Sequence, residues 1–263
     1  KNNNIYLDTV NTGFADKGID FGSTEVRVIK MPRVACLTGE GVNTLAAGEV
    51  WFYFEKELHY PVTMLNLSDV NRLDWRSFDI LIAPDGNYKN LFYKEGPLKN
   101  WVQQGGKLIT LENATNQLSE ADWGLKLKKN DDEKDKEKEE YVNLKKYADA
   151  ERESIKESNP GSIFKVELDN THPLAFGYPN YYYTLKHDNN IYEFMKEGWN
   201  VGVIKKDNQI AGFAGAKAKE KLKDGTLIGH IDVGNGAVVF FADDPLFRDF
   251  WQNGKLLFAN AIF

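Results

Sequence analysis

The stretch GGKLITLENATNQL, residues 105–118, indicates the fold, because it reads in sequence as a turn, an apolar strand, a sharp turn and the start of a helix. The strand covers 107–111 and is followed directly by Glu112 and Asn113. In many α/β enzymes this second turn holds a serine or cysteine nucleophile between small residues. Here the position carries a carboxylate and an amide after the bulky Leu111. The sequence therefore predicts the turn of an α/β enzyme without its nucleophile.

Strand and helix alternate in the same way through the first half of the chain. Apolar strands are predicted at 34–38, 61–67, 78–83 and 107–111, with helices after the first strand and before the fourth. Leu45, Val50, Phe54 and Leu58 fall near one face of the first helix. Near-continuous apolar strands alternating with helices predict a parallel sheet covered on both faces. Right-handed crossovers then favour a three-layer α/β/α, flavodoxin-like arrangement.

The second half adds antiparallel strands, predicted at 162–168, 181–186, 200–205 and 209–215 and in a hairpin centred on Asn235-Gly236. Residues 247–263 form an amphipathic helix pattern. Residues 131–140, DDEKDKEKEE, are all charged and predict a solvated helix or loop within an exposed insertion over about 126–158. Residues 1–31 are interpreted as a lead-in with one strand at 26–30, which leaves 32–263 for the domain.

Composition limits the partners and the setting. The chain has 263 residues, 42% of them hydrophobic, and a formal net charge of −6. An acidic surface argues against nucleic acid or an anionic membrane as a partner. No apolar run approaches the roughly 20 residues that cross a bilayer. The chain starts at Lys1 without an initiator methionine or a signal-peptide pattern, so we expect a mature or excised piece of a longer protein.

The usual motifs of catalysis are missing from the sequence. No G-x-S-x-G or G-x-C-x-G occurs, and the single cysteine, Cys36, lies inside an apolar strand where burial keeps a thiol inert. The histidines lack the spacing of a zinc site; they are His59, His172, His187 and His230. Gly39-Glu40-Gly41 has neither the third glycine of a dinucleotide fingerprint nor the Gly-Lys-Ser/Thr of a P-loop.

Acidic residues follow several of the predicted strands. Because the carboxyl ends of parallel strands meet in one crevice, these acids are candidates for a ligand site; they are Glu40, Asp85, Glu112 and Asp243, with Asp244 beside the last. Convergence would raise a carboxyl pKa or attract a hard cation. The alternative, which we favour, is that each acid caps a helix or a turn.

Aromatic side chains allow two interpretations of the same kind. They could line a sugar or peptide groove, or they could pack in the core, which is the commoner fate of such residues. The residues concerned are Tyr181, Tyr182, Tyr183, Trp199, Phe240, Phe241 and Trp251.

Long segments of the chain resemble a known domain. They are LTGEGVNTLAAGEVWFYFEKELHYPVTML at 37–65, PGSIFKVELDNTHPLAFGY at 160–178, GWNVG at 198–202, AGFAGAKAKEKLKDG at 211–225 and ADDPLFRDFWQNGKLLFANAIF at 242–263. The resemblance, from about Gly13 onward, is to the C-terminal, class I glutamine amidotransferase-like domain of large secreted M14-family zinc carboxypeptidases from Bacteroidetes-type bacteria. It implies a periplasmic or secreted protein whose zinc lies in a separate peptidase domain outside this chain. That peptidase domain is the implied partner.

Neither chemistry of those relatives carries over to residues of this chain. The amidotransferase cysteine is matched by the region around Glu112, and nothing matches the peptidase zinc ligands. We therefore expect a non-catalytic accessory domain. The alternatives are a degenerate hydrolase using Glu112, with Glu40 or His172 assisting as acid or base, and a glycan- or peptide-binding module that uses the acidic crevice and the tyrosine run.

Overall fold

A computed structural model describes residues 6, 8–26, 28–92, 96–129, 144, 146–206 and 208–263, and the chain divides into two units, Lys1–Met31 and Pro32–Phe263. The described residues of the first unit form turns and bends. The strand predicted at 26–30 is wrong for the residues described there, since Val28 and Ile29 are 85% and 97% exposed and extend no ladder. Alternating apolar residues make a stable strand only when a neighbouring strand pairs with them.

The second unit begins with the predicted strand–helix alternation. Its first half contains β1 Val34–Thr38, α1 Thr44–Phe52, β2 Val62–Asn66, β3 Ile80–Ala83, α2 Lys89–Phe92, α3 Pro97–Gln103, β4 Lys107–Leu111 and α4 Asn113–Ser119. The four strands are parallel in the order β2-β1-β3-β4. The three-layer, flavodoxin-like prediction is confirmed.

Helix α1 and the turn that continues it bury most of the predicted face, because Val50 and Phe54 are fully buried and Leu58 packs against the core, but Leu45 does not belong to that face. Its buried residues are Ala46, Ala47 and Val50, whereas Leu45 is 73% exposed. The small alanines let the helix lie close to the sheet, and Ala46 and Ala47 take the place that the sequence pattern assigned to Leu45. The helix then continues as a π-helical turn, Tyr53–Leu58.

The second half extends the same sheet with antiparallel strands. Its elements are α5 Ala150–Glu157, β5 Gly161–Leu168, β6 Tyr181–Lys186, β7 Trp199–Ile204, β8 Gln209–Phe213, α6 Ala216–Leu222, β9 Gly225–Val233, β10 Gly236–Phe241 and α7 Gln252–Ile262. Strand β10 pairs parallel with β4 and antiparallel with β9, so it joins the two halves of a ten-stranded sheet. The solvated helix or loop predicted for the charged residues 131–140 lies outside the described residues. Helix α5, which follows it, is largely exposed. None of the described helices has the length and hydrophobicity needed to span a bilayer.

The β9–β10 hairpin is confirmed, but its turn lies one residue earlier than predicted. Val233 pairs with Gly236, so the two loop residues are Gly234 and Asn235. Gly234 takes the positive φ, +63°, that a tight hairpin turn requires. Gly236 belongs to the strand, where a Cβ atom would collide with the Val102 carbonyl oxygen. The close approach of α3 explains why glycine stands there.

Candidate functional site

The turn after β4 has the backbone of a nucleophile elbow. Glu112 has φ 49° and ψ −120°, a conformation that glycine adopts easily and that typically costs other residues about 1–3 kcal/mol. The Glu112 N–H donates to the Phe241 carbonyl at 3.1 Å. The Thr115 hydroxyl donates to the same carbonyl at 2.9 Å and lies 2.9 Å from the Thr110 hydroxyl. Strands β4 and β10 and helix α4 therefore hold the strained turn in place.

The Glu112 carboxyl is a partly buried acid among other acids. Its pKa is raised to about 8, first by burial and then by the charges of Asp85, Asp243, Asp188 and Glu49. Its side chain makes no capping hydrogen bond to α4. The capping alternative thus fails for Glu112, and its pKa is shifted in the direction that neighbouring acids produce. At neutral pH much of this group is protonated.

Asp85 holds the loop that faces the elbow. Its Oδ2 accepts from Asn43 Nδ2 at 2.9 Å, and its backbone carbonyl accepts from the Asn43 N–H at 2.9 Å. The carbonyl of the next residue, Gly86, accepts from Gln117 Nε2 at 2.5 Å and from Asn113 Nδ2 at 2.9 Å. The loop after β3 is thereby tied to α1 on one side and to α4 on the other.

Asp243 is bound to a lysine that is completely buried. Lys186 Nζ lies 2.5 Å from Asp243 Oδ1 and 3.0 Å from Asp188 Oδ1, and it donates to the Asn190 carbonyl at 2.8 Å. Thr184 donates to the other Asp243 oxygen at 2.5 Å. Burial alone would lower the pKa of Lys186, but the two carboxylates outweigh burial and raise it. The lysine is therefore charged, and it ties β6 to the end of β10.

Asp244 shares its environment with a carboxyl from α1. Burial raises the pKa of Asp244, and a hydrogen bond between its side chain and Glu49 raises it further. Glu49 Oε1 also accepts from the Arg248 N–H at 2.8 Å, and Asp244 Oδ1 accepts from the Leu246 N–H at 2.8 Å. A hydrogen bond between two carboxyls needs one proton, so one of the pair is neutral.

Three of the predicted site residues are linked by their charges and two are not. Asp85 and Asp243 act on the charge of Glu112, but Glu40, which is exposed, and His172 are not among the groups that do so. The tyrosine run alternates along β6, and Tyr182 is 3% exposed and packed in the core. Tyr182 thus does not line a groove. Among the described residues, no group of three or more His, Cys, Asp or Glu side chains could hold a metal ion.

Two histidines that lie far apart in the chain form a pair outside the crevice. His172 Nδ1 accepts from the Leu174 N–H at 3.1 Å, and His172 Nε2 lies 3.2 Å from His230 Nδ1. Because neutral His172 accepts at Nδ1, its proton is on Nε2, which donates to His230. His230 Nε2 then faces Asp232 Oδ1 at 3.5 Å. This tautomer order leaves no lone pair on His172 Nε2 for a metal ion.

Acid is expected to weaken the fold through this pair. Burial is the main reason that the pKa of His172 and of His230 is lowered. A lowered folded pKa gives stability that is complete above the unfolded pKa of about 6.5 and is lost as the pH falls below it. We expect His172→Asn, which keeps a capping acceptor, to lose less unfolding free energy between pH 7 and 5 than the wild type does in urea titrations. The control is His59→Asn at an exposed helix end, and equal pH dependence in the two variants would contradict the prediction.

Cys36 is packed in β1 as predicted. It is fully buried, and burial raises the pKa of its thiol well above the usual range. We expect no reaction with a thiol reagent in the native protein over hours at pH 8 and rapid reaction in urea, because the thiolate is the reactive form. Fast native labelling would show that β1 opens or that the thiol is accessible.

Solved structures show which fold this is. No protein-family model and no curated protein sequence matches the chain. A protein from Thermoplasma acidophilum, named for a component of GMP synthase, superposes with a TM-score of 0.54 and 11% identity, over 89% of this chain and 94% of that one. A ThuA-like protein from Parabacteroides merdae superposes with a TM-score of 0.51 and 15% identity, over 88% and 89%. The chain has a class I glutamine amidotransferase-like fold.

A third structure with this amidotransferase-like fold is less similar. A glutamine amidotransferase from Thermotoga maritima has a TM-score of 0.46 and 9% identity, over 89% of this chain and 91% of that one. At such identities the likeness concerns the fold alone. Within this fold, the turn after β4 carries Glu112.

Proposed function

We propose that this chain is a non-catalytic accessory domain of a larger secreted zinc carboxypeptidase. One observation carries the proposal: the elbow position holds Glu112, a carboxyl whose pKa is raised by burial and by the charges of other carboxyls. An attacking group in this fold needs a hydroxyl or thiol with a neighbouring base, and the side chain at the elbow position has neither a hydroxyl nor a thiol. Burial among like charges moreover favours the protonated form of Glu112, which is a poor nucleophile.

The context of the proposal comes from the segments that resemble M14-type carboxypeptidases. The peptidase domain would lie outside this chain and would hold the zinc, since neither the sequence nor the His172–His230 pair offers a ligand set here. The contribution of this domain would be its surface, packed against the peptidase domain or bordering its cleft. A secreted setting agrees with the resemblance.

Two measurements test the proposal. The isolated chain is expected to leave glutamine, peptide and ester substrates unhydrolysed, and Glu112→Gln is expected to change nothing in these assays. The coding sequence before Lys1 is expected to contain an H-x-x-E motif followed at a distance by another histidine. Turnover by the chain that Glu112→Gln abolishes would refute the non-catalytic role. An upstream sequence without that motif would refute the peptidase context alone.

A degenerate hydrolase is the second candidate, and the pKa of Glu112 favours it. An acid with a pKa of about 8 is largely protonated at pH 7 and can donate a proton to a leaving group. If Glu112 acts in this way, a hydrolytic rate should fall as the pH rises through about 8 and should be lost in Glu112→Gln. Neither Glu40 nor His172 is among the groups acting on Glu112, so the assisting roles that the sequence suggested for them gain no support.

A further inference from the structure

An open depression of about 700 Å³ lies at the carboxyl ends of β1, β2 and β3. The strand order β2-β1-β3-β4 reverses direction between β1 and β3. In doubly wound sheets, ligands bind in the crevice at this point of reversal. None of the acids around Glu112 lines the depression, so it is separate from the elbow site.

The chemistry of the lining is mixed and mostly uncharged. Its polar residues include Glu40, Ser68, Asn71, Asn87 and Asn90, and its apolar residues include Leu67, Trp75 and Leu91. Amide and hydroxyl groups both donate and accept hydrogen bonds, and a carboxylate accepts them. Among the described residues that line the depression, none carries a positive charge. The carboxylate of Glu40 would repel a phosphate or carboxylate ligand.

The walls of the depression are held by contacts outside it. Gly39, at φ +93°, lies so close to Asn66 that a Cβ atom would be 2.5 Å from Asn66 Oδ1. The same oxygen accepts from the N–H and the hydroxyl of Ser68 at 3.1 and 3.0 Å, which fixes the turn after β2. The Trp75 ring packs against Trp101 with centroids 5.7 Å apart. A partly exposed indole is thus positioned beside fixed polar groups.

We propose that this depression binds a neutral saccharide. A sugar ring presents a face of C–H groups that packs on an indole, and a rim of hydroxyls that both donate and accept. The Trp75 ring would pack against the C–H face of the sugar. The asparagines, Ser68 and Glu40 would form hydrogen bonds with its hydroxyls. The volume lies within the range of small-molecule sites. This site does not depend on the accessory role proposed above.

Calorimetric titration of the chain with lactose, cellobiose and chitobiose tests the proposal, with AMP as the anionic probe. We expect at least one disaccharide to bind with a Kd of about 1 mM or tighter and AMP not to bind. Trp75→Leu and Asn71→Ala should each weaken that binding about tenfold or more. Asn100→Ala, an exposed asparagine on α3 outside the depression, should leave it unchanged.

The outcomes separate this site from the others. Absence of binding by all three disaccharides, binding of AMP alone, or equal affinity in wild type, Trp75→Leu and Asn71→Ala would overturn the proposal. If Trp75→Leu does not fold, the exposed Asn71→Ala decides the matter. Glu112→Gln should bind sugar as the wild type does, so hydrolysis at Glu112 would refute the accessory role without affecting this site.

Discussion

Replacing Lys186 with methionine is expected to lower the free energy of unfolding by about 3–5 kcal/mol, because it leaves a buried carboxylate without its counter-charge. The side chain of Lys186 is fully buried and that of Asp243 is 9% exposed, with 2.5 Å between Nζ and Oδ1. Methionine fills similar space, so the loss measures charge and hydrogen bonding more than packing. Urea unfolding followed by tryptophan fluorescence would give the change.

Two further variants show whether the lost charge is the cause. Lys205→Met removes the lysine of an exposed pair with Glu167, at 2.7 Å and 56% and 46% exposure, and should cost less than about 1 kcal/mol. The double variant Lys186→Met/Asp243→Asn removes both buried charges and should recover a large part of the loss. A Lys186→Met protein as stable as Lys205→Met would show that the buried pair contributes little.

Glu112→Gln is expected to make the protein more stable at alkaline pH. The pKa of Glu112 is raised from 4.5 to about 8, so the folded state favours the protonated carboxyl. Below the pKa that Glu112 has in the unfolded chain, the carboxyl is protonated in both states and costs no stability. As the pH rises from there to about 8, the unfolded state ionises more readily, and the free energy of unfolding falls progressively. The variant should exceed the wild type by about 2 kcal/mol at pH 9, since one pKa unit corresponds to about 1.4 kcal/mol and water screens part of the effect.

Unfolding titrations of both proteins at about pH 4.5, 7 and 9 would check this prediction. The two should be equally stable at the lowest pH and should diverge as the pH rises. Glu40→Gln is the control, because Glu40 is an exposed carboxyl in the neighbouring loop and is not among the groups acting on Glu112. A constant difference between wild type and Glu112→Gln across this range would mean that the carboxyl does not titrate as described.

The fold was predictable because long apolar runs and punctuating turns determine it. The four parallel strands and the antiparallel strands of the second half were found from these runs alone. The strand expected at 26–30 failed because pairing depends on a neighbour that a local pattern does not reveal. The turn at Gly234 was missed by one residue because the close approach of Val102 to Gly236 is a tertiary contact.

The site was predictable in part, for a similar reason. Acids that follow parallel strands lie at one edge of the sheet, so topology offered a site of Asp85, Glu112 and Asp243 as the alternative to the capping roles that we favoured. Glu40 also follows a parallel strand but is not among the groups acting on Glu112. Lys186 and Glu49 belong to no motif, because each lies within a regular element and reaches the site only through tertiary packing. The His172–His230 pair likewise depends on packing between a turn and β9, and the spacing of the two histidines in the sequence does not predict it.

The pairing of β4 with β10 has a consequence for synthesis. Lys107 and Ala237 are register partners although roughly 130 residues separate them in the chain. As the polypeptide leaves the ribosome, β1 to β4 are complete long before β10 exists, and closing so large a loop costs about 4 kcal/mol in chain entropy. Until β10 is synthesised, the side of β4 that pairs with it has no partner strand, and such an unpaired apolar edge favours aggregation or binding by chaperones. A chain truncated before Gly236 lacks β10, so its β4 edge stays unpaired, and we expect the truncated protein to be insoluble.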